Sequence, residues 1–168
     1  MRVLVTGVGR YLGAHLAARL AEHPPVEEVA GFDSAAPRSP LREMLDEHRV
    51  SVVTGEPRDV AVALARAGAD TVAHMGIIST PGAGGRAAMK EQNIIGTMQL
   101  LAACQASAQV RKVVVRSSTA AYGASFRDPA VFTETTPPSL APRGGFAKDV
   151  IEIEGYVRGF ARRRPDVV

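Results

Sequence analysis

The chain has 168 residues, 46% of them hydrophobic and 22% charged, the balance of one soluble domain large enough to bury its own core. Its single cysteine, Cys104, excludes an intrachain disulfide and a cysteine-built zinc site, and no metal site is expected. The net charge of +3 comes from arginines scattered among 17 acids, with only eight tyrosines and phenylalanines and no tryptophan, which argues against a nucleic-acid partner.

No run of about 18 apolar residues is present, so no membrane span is expected. The N-terminus passes directly into Val3-Leu4-Val5 without the pattern of a secretory signal, so the expected location is the cytoplasm. In chain order, the pattern predicts a strand at 2–6 and a helix at 11–22, which Pro24-Pro25 stops. A strand at 26–32 and a polar loop at 33–40 follow. Next come a helix at 41–49, a strand at 50–54 and a helix at 58–67 closed by Gly68. A strand at 71–75 leads through a glycine-rich loop into a long helix at 86–107. A fifth strand at 112–117 and a final helix at 145–164 complete the order. Short strands separated by helices imply parallel pairing through right-handed crossovers, hence an α/β doubly wound parallel sheet in three layers. The cluster Arg162-Arg163-Arg164 is expected to close the last helix. Pro165 ends that helix, and Asp166-Val167-Val168 reads as the start of another buried strand, the pattern expected of the front portion of a longer protein.

The strongest local signal is Thr6-Gly7-Val8-Gly9-Arg10-Tyr11-Leu12-Gly13 between the first strand and first helix. Gly7 permits the tight turn, Gly9 a close backbone approach to a diphosphate, and Gly13 close helix-on-strand packing. The first turn of the helix, Tyr11 and Leu12 included, then offers free N–H groups and a positive dipole end to phosphate. Asp33 follows the second strand, where a carboxylate accepts hydrogen bonds from both hydroxyls of an adenosine ribose and repels a 2′-phosphate. NAD is therefore favoured over NADP.

From these landmarks onward the chain resembles the extended short-chain dehydrogenase/reductases, the NAD-dependent epimerase/dehydratase group typified by UDP-galactose 4-epimerase. The resemblance covers essentially all 168 residues. Thr6, Gly7 and Gly13 match the opening Thr-Gly-x-x-Gly-x-x-Gly, while Arg10 stands at the middle glycine, where it can reach toward a phosphate. Gly55-Glu56-Pro57-Arg58-Asp59 matches Gly-Asp-x-x-Asp, with Glu56 and Pro57 implied beside the adenosine. Val72-Ala73-His74-Met75-Gly76 resembles the end of the family's fourth strand, which implies that Met75 and Gly76 line the cofactor and that His74 is structural. Asn93-Ile94-Ile95-Gly96-Thr97-Met98-Gln99-Leu100-Leu101 resembles Asn-x-x-Gly-Thr-x-Asn-Leu-Leu, the most specific match, and implies Asn93 at the cofactor site.

Arg116-Ser117-Ser118-Thr119-Ala120-Ala121-Tyr122-Gly123 resembles Ser-Ser-x-x-x-Tyr-Gly, which implies a cofactor contact at Ser117 and a catalytic hydroxyl at Ser118. Thr119-Ala120 replaces the Asp-Glu pair of dehydratases, which disfavours that elimination. The family's Tyr-x-x-x-Lys dyad keeps its lysine, Lys148, implied both to bind the cofactor and to act in catalysis, but Gly144 stands in place of the tyrosine. No tyrosine lies in the loop at 137–145, Tyr122 is expected to be structural, and Tyr156 lies two turns beyond the lysine.

The resemblance implies hydride exchange between NAD and a carbon of a nucleotide sugar or another small molecule, as in an epimerase: an oxidoreductase step with an isomerase outcome. The other reading is a regulatory or redox-sensing module that binds NAD without catalysis. The stripes Ile94–Met98–Leu101 and Val150–Ile153–Val157 resemble the family's dimer face, which implies a homodimer.

Overall fold

The computed structural model describes residues 1–123, 125–139 and 144–168. Its strands are β1 (Arg2–Thr6), β2 (Glu28–Asp33), β3 (Ser51–Thr54), β4 (Thr71–His74) and β5 (Lys112–Val115). They form one all-parallel sheet in the order β3-β2-β1-β4-β5. The helices are α1 (Tyr11–Ala21), α2 (Leu41–Glu47), α3 (Val60–Ala67), α4 (Gly85–Ala106) and α5 (Gly145–Arg163). This is the expected doubly wound α/β fold, and the strand order reverses between β1 and β4.

Side-chain alternation along the central strand builds the three layers. Val3 and Val5 point to the face covered by α1 and α2, where Ala14, Ala17, Leu45 and Val29 join them. Leu4 points to the opposite face with Phe32 and Val72, under Leu64 of α3, Leu100 and Cys104 of α4, and Phe160 of α5. A smaller cluster of Ile77, Ile94 and Ile153 joins the loop after β4 to α4 and α5.

Several boundaries differ from the sequence reading. β2 begins at Glu28: Val26 is still in a turn, its N–H on His23 O at 2.8 Å, and the Glu27 N–H crosses to Met1 O at 2.9 Å just ahead of the paired register. The expected helix at 58–67 splits into a 3₁₀ turn, Pro57–Asp59, followed by α3; Asp59 accepts a hydrogen bond from the Glu56 N–H at 2.9 Å. β5 stops at Val115, so Ser117 and Ser118 lie beyond the strand.

Arg162 and Arg163 stand in the last turn of α5, as expected of the arginine cluster, while Arg164 acts on another helix. Arg164 reaches the carbonyls at the end of α4, donating to Cys104 O at 2.9 Å and Ser107 O at 3.0 Å, while Asp166 pairs with it at 2.8 Å. The cation thus satisfies the neighbouring helix's free carbonyls, where the dipole favours it. The expected strand at 166–168 is present only as a pair of backbone bonds to the edge of β5: Val168 N–H donates to Arg111 O at 3.0 Å, and Val113 N–H donates to Val168 O at 2.9 Å.

Leu4 is completely buried on the central strand. Its replacement by alanine is expected to cost about 2–5 kcal/mol and lower the melting temperature by roughly 5–15 °C, measured by thermal unfolding.

Candidate functional site

Because all five strands run parallel, the residues following their C-terminal ends gather along one edge of the sheet. At that edge three backbone segments meet. Gly7, at φ +83°, turns the chain out of β1 while its N–H donates to Phe32 O at 2.9 Å. A Cβ at Gly7 would lie 2.6 Å from Gly76 N, and one at Gly13 would lie 2.2 Å from Gly7 O. Side chains at these two positions are excluded by backbone, so the end of β1, the start of α1 and the turn after β4 can touch only as glycine.

Asp33, at the end of β2, is 6% exposed and aims its carboxylate at this junction. Oδ2 accepts the Gly9 N–H at 2.8 Å, and Oδ1 accepts the Ala35 N–H at 3.2 Å. Arg10 precedes α1 in extended conformation (φ −124°, ψ 157°), a backbone that any residue adopts, and its side chain projects into solvent. It therefore leaves the junction open. The amides of Tyr11, Leu12 and Gly13 belong to the first turn of α1, whose N–H groups have no intrahelical acceptor. Such donors beside a glycine cradle suit a diphosphate, and a buried carboxylate with remaining lone pairs suits a diol.

A crevice opens beside this junction, lined by Gly7, Asp33, Pro57, Gly76, Gln92 and Gly96 among others. It continues past Ser34, Pro57 and Gln92 into a more open recess bordered by Glu56 and Ile95. Met75 is buried against the α1 side of the sheet, while Gly76 lines the crevice. Gln92 was not singled out from the sequence; its Nε2 donates to Ser34 Oγ at 3.2 Å and spans the crevice from α4 to the loop after β2. Its only signal is its place one residue before Asn93.

Under the floor, His74 is buried between two hydroxyls, with Nδ1 2.6 Å from Thr6 Oγ1 and Nε2 3.0 Å from Thr97 Oγ1. The Thr97 hydroxyl donates to Asn93 O at 2.6 Å, so its oxygen accepts from Nε2–H and Nδ1 accepts from Thr6. Burial, reinforced by the positive Arg116, pulls the His74 pKa down to about 4, and the ring is neutral and structural.

Asn93 is 1% exposed, and its amide is fully engaged. Oδ1 accepts the Ile78 N–H at 2.8 Å, and Nδ2 donates to Ile78 O at 2.9 Å and to Asp149 Oδ2 at 3.2 Å. It reaches the crevice through the loop it holds, with no side-chain surface left for a ligand.

Ser118 is not among the residues that line the crevice; it caps the 3₁₀ turn Thr119–Tyr122, its Oγ accepting the Ala120 N–H at 3.2 Å. Ser117 donates to Glu154 Oε1 on α5 at 2.6 Å. Lys148 is exposed on α5 and has no hydrogen bond or ion pair among the described residues. Gly144 precedes α5 at φ 84° and ψ 155°, and residues 140–143 of the loop before it lie outside the described residues. Tyr122 stacks on Phe132 at 4.4 Å, a packing role. Tyr156 donates to Glu152 at 2.8 Å; that bond raises its pKa, moving it away from use as a base near neutrality.

The sequence pattern of the NAD dependent epimerase/dehydratase family matches residues 3–166. The chain belongs to that family. An uncharacterized protein of Mycobacterium tuberculosis and another of Mycobacterium bovis are each 44% identical over 98% of this chain, which spans 44% of their length. Among solved structures, a dTDP-glucose 4,6-dehydratase from Streptomyces venezuelae with NAD bound is 30% identical at a TM-score of 0.78, over 96% of this chain and 52% of that one. A UDP-glucuronic acid 4-epimerase from Bacillus cereus in complex with NAD has a TM-score of 0.77 at 22% identity, over 96% of this chain and 53% of that one. At that identity, the epimerase speaks to the fold alone. No described helix of this family member is long and apolar enough to cross a membrane.

The buried imidazole gives the stability of the site a pH dependence. Below pH 6.5 the unfolded chain takes up a proton that folded His74 refuses until about pH 4, so its contribution is complete above 6.5 and is lost as pH falls through that window. Denaturant titrations between pH 7 and 4 are expected to show His74→Gln losing less stability over the window than the parent, by on the order of 3 kcal/mol.

Proposed function

We propose that the chain is the dinucleotide-binding portion of a longer NAD-dependent enzyme that acts on a nucleotide sugar in the manner of an epimerase. The observation that carries this reading is the buried Asp33 carboxylate hydrogen-bonded to the Gly9 N–H at 2.8 Å, acid and glycine turn assembled as one unit. Its extent is supported by the chain spanning 44% of its curated relatives.

In this reading the tightly packed turn through Gly7, Gly9 and Gly13 presents the amides of Tyr11, Leu12 and Gly13 to a diphosphate, which Arg10 pairs with from solvent. Asp33 accepts the adenosine ribose hydroxyls and repels a 2′-phosphate, so NAD(H) is bound in preference to NADP(H). Glu56 and Pro57 border the adenosine, the Met75-Gly76 turn closes the floor, and Asn93 fixes the loop above it. When bound, the nicotinamide supplies a hydride acceptor and donor. Ser118 orients the reacting substrate hydroxyl, while Ser117 and Lys148 lie at the nicotinamide end. Ile95 and Met98, each 42% exposed on α4, support pairing of two copies through that helix.

Gly144 favours the second reading, a module that binds NAD without turnover. Loss of a general acid/base costs about 10²–10⁴ in rate, so efficient epimerisation requires another group in its place.

Titration of NADH fluorescence tests the first step. Asp33→Asn is expected to weaken NADH binding by roughly 10–100-fold while weakening NADPH binding much less; equal losses for both would remove Asp33 from the ribose. In the full-length protein, interconversion of a UDP- or dTDP-sugar that Ser118→Ala slows at least about tenfold supports the enzyme. NADH binding with no conversion of any nucleotide sugar supports the sensing module.

A further inference from the structure

Asp149 is the residue after Lys148, and its side chain is 1% exposed. A buried carboxylate needs partners, and it has two, both from α4. Oδ2 accepts from Asn93 Nδ2 at 3.2 Å, and Oδ1 is paired with Arg86 Nη2. The same Nη2 donates to Gly145 O, the first residue of α5, at 2.7 Å. Gly145 makes the approach possible, since a Cβ there would lie 2.1 Å from Arg86 Nε. Arg86 Nη1 is buried without a partner among the described residues, so the guanidinium holds this place for its Nη2 bonds at a cost.

The bonds form one chain, Ile78–Asn93–Asp149–Arg86–Gly145, running from the loop after β4 through α4 to the start of α5. Gly144 is left outside the helix, so the first turn of α5 has no anchor from that position. Arg86 and Asp149 supply one by gripping the carbonyl at the helix start and the residue beside Lys148.

We propose that Arg86 and Asp149 are positioning residues that fix the first turn of α5 and thereby hold Lys148 toward the cofactor. The inference rests on the reading that Lys148 meets a bound nicotinamide dinucleotide. Asp149 works through a neighbour, since burial denies its carboxylate any contact with ligand.

The test is a double-mutant cycle on NADH affinity in the full-length protein, with thermal unfolding monitored for every variant. Lys148→Ala is expected to weaken NADH binding about tenfold in the parent and less than about twofold in an Arg86→Lys background, where the charge remains but the two-acceptor grip is lost. The paired replacement Arg86→Met with Asp149→Leu substitutes apolar side chains for the ion pair and keeps the fold where removing the charge of one partner alone fails. It is expected to abolish the Lys148 effect in the same way. An unchanged tenfold effect of Lys148→Ala in both folded backgrounds would make the pair merely structural and overturn the proposal. No effect of Lys148→Ala in the parent would overturn it as well, together with the role given to Lys148. Binding of NADH that remains sensitive to Asp33→Asn would then leave the cofactor reading standing.

Discussion

At the centre of the molecule three pieces of backbone are closer together than any side chain allows. Gly7 leaves β1 against the Gly76 amide, and Gly13 of α1 rests on the Gly7 carbonyl. A methyl group at either position would drive α1 off the sheet or push the β4 turn outward. The crevice is the space left where the strand order reverses between β1 and β4. Its walls inherit their position from this contact, because Asp33, Gly76 and the Gly9 loop all follow strands whose registers are fixed against β1.

Beneath that contact is a polar layer with no charge in it. Thr6, His74 and Thr97 use their hydrogen-bonding atoms on one another and on the Asn93 carbonyl, and the low dielectric keeps the imidazole neutral. A histidine so enclosed cannot exchange protons with a ligand near neutrality. The loop above, held by the Asn93 amide at Ile78, draws its rigidity from the same helix. One face of α4 therefore sets both the floor and the rim of the crevice.

Much of the fold was legible because it is local. Five short apolar runs, each followed by a glycine, proline or polar turn, give the strands; Asp33 and the glycine turn are readable because each sits at the end of a strand. Residues whose partners are distant in sequence were not legible. Arg86 lies 63 residues from Asp149, and nothing near Arg86 distinguishes it from a solvated helix-start arginine. Arg164 was readable as a helix-closing cation, but only the packed structure shows that the helix is α4. Asn93 was legible as part of a motif and misread in its manner of action, because a motif names a residue without saying which way its amide faces. Gln92 carried no pattern of its own.

None of the described residues at the start of α5 lines the crevice. Gly144 occupies φ 84° and ψ 155°, a region almost closed to residues with a Cβ, and α5 begins only after it. A residue with a side chain at 144 would be strained in that backbone region, next to a Gly145 carbonyl that Arg86 grips. What remains of the implied catalytic end is an exposed ammonium, a hydroxyl committed to capping a turn, and a second hydroxyl bonded to Glu154. Those groups can bind and orient. Among the described residues, the carboxylate bonded to one of them is Glu154, on Ser117.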